Sequence, residues 1–305
     1  MRYLVTHRTR YDYETEVPFS RHQARLTPRE CVGQRCLEHE VSVEPSPAAL
    51  ERRVDYFGNP TASFTVETPH QRLLITARSL IERSSTTSAV ADTTPWEAAR
   101  DLWRSPTLEV ALAAGEFCFD SPLVARGRAF AAYALPSFAP GRPFLAAVLD
   151  LTSRIHADFR FAPLSTTVAT PLERVLEERR GVCQDFAHLH IACLRSLGLA
   201  ARYVSGYLET EPPPGKARLI GADASHAWIA VFCPGLGWIE LDPTNDVVPS
   251  TRHLTLAWGR DYTDVSPLRG ILVGSGGHRL TVAVDVERVG ETGQDHPASP
   301  GDTGQ

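Results

Sequence analysis

Apolar and polar side chains alternate from the start of the chain. Tyr3, Val5, His7, Thr9, Tyr11 and Tyr13 share one side of the pattern, shorter runs repeat it at 41–43 and 62–66, and 73–77 is more continuous. A period of two rich in aromatic and β-branched residues is the mark of strands. Turn formers separate the runs at 44–47 and 55–60. Short strands, frequent turns and no helical period predict an antiparallel, sandwich-like domain over residues 1–83.

The pattern changes at residue 84. A Ser/Thr-rich stretch runs to Thr94, and Thr94-Pro95-Trp96-Glu97 has the order of a helix start. Helical patches follow at 108–113, 123–135 and 142–156, punctuated by Pro136, Pro140 and Pro143. Residues 84–140 are therefore expected to form a linker and a helical connector.

Two helices are predicted to meet around Arg180-Gly181-Val182-Cys183. Thr170-Pro171-Leu172-Glu173 supplies a cap, a first-turn proline and a glutamate to close a capping box, and Gly181 is expected just past that helix's C-terminus. Beyond the junction Phe186, Leu189, Cys193 and Leu197 recur at helical spacing until Gly198. Cys183 sits in the first turn of this second helix but precedes its apolar stripe, so packing gives it no purpose. A helix N-terminus favours thiolate over thiol, and a thiolate is a nucleophile.

Strand patterns return at 201–208, 226–232, 238–243 and 280–286, with a break at 212–215. Pro234-Gly235-Leu236-Gly237 joins two of them as a hairpin. Centring the turn on Gly235 puts Asp242 opposite Trp228, with His226 its diagonal neighbour. Because 226 and 242 are both even, every register with an even sum places both side chains on one face. Diagonal neighbours lie roughly 7–8 Å apart at Cα, within reach of a carboxylate and an imidazole. A carboxylate on one ring nitrogen fixes the tautomer and leaves the other to act on a thiol.

Cys183, His226 and Asp242 are thus the catalytic candidates: nucleophile, proton carrier and orienting acid, with the Cys183 N–H as an oxyanion donor. Each alone is more commonly structural, as a core cysteine, a satisfied histidine or a turn aspartate before Pro243. Their combination carries the weight. Other candidates read more simply. Cys193 is a core residue and Gln184 a solvent-facing one, while Asp185 complements the helix start. His188 and His190 face different ways and do not make a metal pair. Trp228 is either a cleft wall or a core residue, and 260–265 is a structural loop.

Composition narrows the partners. The chain has 305 residues, 43% of them hydrophobic, and a formal net charge of −5, so no nucleic-acid partner is expected. No apolar stretch approaches membrane-spanning length, and the strand-like N-terminus lacks an apolar signal core, so no membrane partner and a cytoplasmic location are expected. Six scattered cysteines without zinc-site spacing predict free thiols, no metal and no cofactor. Residues 290–305 are polar and rich in glycine, and are predicted disordered. Oligomeric state is not legible.

The stretches "GVCQDFAHL…LRSLGLAARYVSGYL", "ASHAWIAVFCPGLGWIELDPTND" and "GRDYTDVSPLRG" resemble the core of the bacterial transglutaminase-like family, whose members are classed with cysteine proteases. "YLVTHRTRYDYETEV…RLTPRE" and "DYFGN" resemble the β-rich region that accompanies that core. The resemblance spans residues 1–289. It implies an α+β fold in which the N-terminal antiparallel β-sandwich-like domain precedes a papain-like core over 141–289, a cysteine-bearing helix packed on an antiparallel sheet. By motif position the family's nucleophile falls on Cys183, its histidine on His226 and its acid on Asp242. The function implied is thiol-dependent acyl transfer on amide bonds of a peptide or protein, through a thioester, foremost as a peptidase or amidase. The alternatives are a protein-glutamine gamma-glutamyltransferase and a non-catalytic peptide-binding module. Animal transglutaminases have tryptophan directly after the cysteine; here the residue is Gln184.

Overall fold

The computed structural model describes residues 1–85, 93–104, 114–163, 165–210, 225–233 and 235–289. The helical patch expected at 108–113, the break at 212–215 and the tail at 290–305 lie outside the described residues, as does part of the expected linker.

The alternation in the first third of the chain forms six strands: β1 (Arg2–Val17), β2 (Phe19–Ala24), β3 (Gln34–Glu44), β4 (Ala49–Val54), β5 (Pro60–Val66) and β6 (His70–Arg83). Their inward residues Tyr13, Val17, Val43, Phe64, Val66, Leu73 and Ile75, with Leu26 just past β2, form one apolar cluster between two sheets. Neither sheet is complete with these strands. β13 (Leu268–Val273) pairs antiparallel with β2, and β14 (His278–Val289) pairs with β1 over twelve residues from Arg2↔Val289 to Tyr13↔His278. The expectation that 141–289 forms one unit is corrected here. Its last strands close the N-terminal sandwich, because β1 and β2 leave edges whose backbone groups need partners.

The second body is helical on one side and a sheet on the other. α1 (Trp96–Asp101), α2 (Arg128–Ala134), α3 (Phe144–Asp158) and α4 (Leu172–Glu178) lead to α5 (Cys183–Ser196). Two short strands, β7 (Arg160–Phe161) and β8 (Arg180–Gly181), pair in parallel just before α5. The sheet has the order β11-β10-β9-β12, from β9 (Ala201–Leu208), β10 (Ser225–Cys233), β11 (Gly237–Leu241) and β12 (His253–Gly259), and α6 (Tyr262–Val265) follows. Phe186, Leu189, Ile191 and Leu194 of α5 share one core with Tyr203, Tyr207, Ile229 and Val231 of the sheet. This α+β arrangement of a cysteine-bearing helix on an antiparallel sheet matches the expected core. No helix among the described residues is long and apolar enough to cross a membrane.

The two bodies are stitched together along β12. The Gln34 side-chain amide donates to the Thr255 carbonyl at 2.7 Å and accepts the Thr255 N–H at 2.8 Å. Asn59, in the 55–59 turn, does the same for Trp258 at 2.9 and 3.0 Å. The Arg29 guanidinium lies 3.5 Å from the Trp258 ring centre, and Arg202 stacks at 3.7 Å from that ring, a cation–π sandwich across the interface.

Candidate active site

Cys183 is the first residue of α5, preceded by extended Val182. The junction is built differently from the sequence reading. The left-handed residue that ends α4 is Arg179, at φ 51°, and no side chain caps α4; the Thr170 hydroxyl instead accepts the Thr167 N–H. Gly181 serves another purpose. Asp185 reaches back to accept the Val182 N–H at 2.8 Å, and the Thr166 hydroxyl holds the same oxygen at 2.6 Å. A Cβ at Gly181 would lie 2.8 Å from that carboxylate, so glycine is what lets Asp185 tie down the turn before the cysteine. Cys183 is left half-buried and accessible, whereas Cys193 is fully buried. Burial pushes the Cys118 and Cys193 thiols up, Cys118 to about 12.

The hairpin has the predicted register. Ile229↔Leu241 and Cys233↔Gly237 pair, which extends to Trp228 opposite Asp242. His226 Nε2 lies 2.8 Å from Asp242 Oδ2. The Cys183 thiol is a hydrogen-bonding neighbour of the same imidazole. With Nε2 occupied by the carboxylate, Nδ1 is the nitrogen left for the thiol. The three predicted residues are therefore brought together as one chain of contacts.

Asp242 is fully buried, and its charge is met from several sides. Oδ1 accepts the Thr244 and Asn245 backbone N–H groups at 2.9 and 3.3 Å, and Oδ2 accepts the Asn245 side-chain amide at 2.7 Å. Burial alone would raise its pKa. Hydrogen bonds from His226, His253 and Asn245 reverse that and hold the carboxyl well below its usual range. Burial likewise opposes charge on His226, but the hydrogen bonds to Asp242 and Cys183 prevail and raise it to about 10.

One residue went unforeseen. His253, on β12, places Nε2 3.1 Å from the same Oδ2. Trp228 lies beneath both histidines, 6.0 Å from the His226 ring and 5.3 Å and nearly perpendicular to that of His253. It is fully buried and does not wall a cleft. Gly206, opposite His226 on β9, makes room: a Cβ there would sit 2.2 Å from the Leu254 carbonyl and 2.4 Å from the Trp228 ring.

His226, Asp242 and His253 are the group among the described residues compact enough to consider for a metal ion. Their spacing fits protons better. The N···O separations of 2.8 and 3.1 Å are hydrogen bonds, and a third donor, the Asn245 amide, points at the same oxygen.

The remaining candidates pack. His190 is fully buried with both nitrogens unpartnered, and burial drives its pKa down to about 3. His188 Nε2 accepts the Tyr262 N–H at 3.1 Å, and its ring lies against Tyr203. The 260–265 segment is structural as expected: Asp261 caps α6 through the Thr263 N–H and accepts the Leu123 N–H. Gln184 is half-buried and lines a cavity of about 220 Å³ with Leu123, Thr170, Glu173, Asp185 and His188.

Residues 3–82 match the family model of the bacterial transglutaminase-like N-terminal region, and residues 137–243 match that of the transglutaminase-like superfamily. An uncharacterized protein of Mycobacterium tuberculosis is 45% identical over 93% of this chain and 92% of its own. A protein-glutamine gamma-glutamyltransferase of Pseudomonas aeruginosa is 30% identical over 47% of this chain and 22% of its own. The solved structure of a candidate cysteine protease from Cytophaga hutchinsonii superposes with a TM-score of 0.73 at 20% identity, covering 96% of this chain and 92% of that one, a likeness of fold. On these matches the chain belongs to the transglutaminase-like superfamily and carries the bacterial N-terminal region that goes with it.

Proposed function

We propose that the protein is a thiol-dependent acyl-transfer enzyme acting on amide bonds of peptides or proteins, with Cys183 as nucleophile, His226 as proton carrier and Asp242 as orienting acid. The observation that carries this reading is the unbroken line of contacts from the accessible Cys183 thiol through His226 to the buried Asp242. His226 Nδ1 takes the proton of the Cys183 thiol once the substrate is engaged. Sulfur attacks the amide carbonyl, and the negative oxygen of the tetrahedral adduct is met by the Cys183 N–H at the open end of α5. The adduct collapses as Nδ1 gives its proton to the departing amine, leaving a thioester on Cys183. Water then attacks, loses a proton to Nδ1 and releases the acid, and the thiol is restored.

Hydrolysis comes first among the outcomes. Resolution of the thioester by an amine is the second reading, favoured by the gamma-glutamyltransferase relative. Six cysteines scattered along the sequence, without the paired spacing of a disulfide framework, support a reducing compartment, the cytoplasm. An activated ester such as p-nitrophenyl acetate tests the reading. A burst of nitrophenol equal to enzyme, with an acetyl group mapped by mass spectrometry to Cys183, supports it. No acyl adduct on Cys183 contradicts it and favours a binding module.

A further inference from the structure

His253 stands outside the three residues that the chemistry requires, yet its Nε2 and that of His226 converge on one oxygen. Its other nitrogen is also engaged: the Ser250 N–H points at His253 Nδ1 at 3.3 Å. A backbone N–H can only donate, so Nδ1 accepts and the proton of the neutral ring lies on Nε2. That Nε2–H donates to Asp242 Oδ2. The ring cannot drift, since Trp228 packs edge-on against it and the ring is buried. The strand that carries it is clamped by the paired amide of Gln34 on Thr255, two residues away.

We propose that His253 is a positioning residue of the candidate active site, a second imidazole that holds Asp242 Oδ2 so that His226 stays aimed at Cys183. Rotation of the Asp242 carboxylate would otherwise swing Oδ2 away from His226, because the two backbone N–H groups at Oδ1 fix only one end. His253 and Asn245 fix the other. The sandwich domain thereby reaches the chemistry, since its Gln34 and Asn59 amides hold the edge of β12.

This inference rests on the catalytic reading, and one set of variants separates the two. The probe is the rate of iodoacetamide alkylation of Cys183 at pH 7, mapped by mass spectrometry in wild type, His226→Ala, His253→Phe and His253→Gln. The Gln amide can place a donor where Nε2 stood; Phe cannot. The expected result is a loss of about tenfold in His253→Phe, the equivalent of one hydrogen bond to a charged group, and near wild-type reactivity in His253→Gln. In the imidazole region of the ¹⁵N spectrum, wild type should show His253 protonated on Nε2 and not on Nδ1. A folded His253→Phe that labels as fast as wild type, or Phe and Gln variants that fall equally, overturns the role of His253 alone. A wild-type His253 protonated on Nδ1 overturns it even where the Phe variant fails to fold. Labelling indifferent to His226→Ala defeats the catalytic reading, and the role of His253 falls with it.

Discussion

The side-chain amide of Gln34 pairs with both backbone polar groups of Thr255, a residue 221 positions away, as a neighbouring strand would. An edge strand that carries part of a site is thereby covered by the first domain. Gln34→Ala leaves the buried Thr255 N–H without a partner and its carbonyl with only the longer bond from the Arg29 N–H, at 3.3 Å. We expect a loss of roughly 2 kcal/mol in a urea melt, and faster hydrogen exchange at the Thr255 amide than at the β1 amides. Uniform exchange would show that the clamp carries no load.

His190 should be replaceable with profit. It is fully buried, and both of its nitrogens lack hydrogen-bond partners. His190→Leu removes two unmet polar atoms for similar volume, so the thermal midpoint should rise, by an equivalent of about 1–2 kcal/mol. A lower midpoint would mean that the ring has a partner in solution.

Stability should peak near pH 6.5 and fall on both sides. On the acid side, burial lowers His7 and His188 to about 4 and His190 to about 3, from 6.5. Between those values the unfolded chain binds these protons and the folded chain does not, so stability falls as pH drops, by ~1.4 kcal/mol per pH unit for each histidine. His190→Leu should flatten that limb by one proton. On the alkaline side His226 acts in the opposite sense. Its folded pKa is raised from 6.5 to about 10, so its contribution is full below 6.5 and is lost as pH climbs toward 10. Chemical denaturation at fixed pH steps checks both limbs. A flat profile from pH 6.5 to 9 that His226→Ala leaves unchanged would argue against the charged imidazole.

What was legible in the sequence was local or fixed by parity. The hairpin register followed from its turn, and even numbering placed His226 and Asp242 on one face before any coordinate. Cys183 was visible because it broke the stripe of its own helix. Non-local pairing was not legible: nothing in the pattern at 268–289 says that these strands belong to β2 and β1 rather than to the nearer sheet. His253 escaped for a related reason. It reaches Asp242 from a third strand, whose register against β9 shifts between Thr255 and Ala257, so parity could not be carried across. Gly181 has the sequence signature of a helix end, because glycine is common there. Its actual role, room for Asp185, is a matter of packing.

If His226 activates Cys183, selective alkylation reads it out. Wild type and His226→Ala would be treated with iodoacetamide from pH 5 to 9 and each modified cysteine mapped. Cys183 should label far ahead of Cys118 and Cys193, which burial suppresses, and the advantage should be lost in His226→Ala. Equal labelling of all six cysteines, or a Cys183 rate unmoved by His226→Ala across that range, would contradict it.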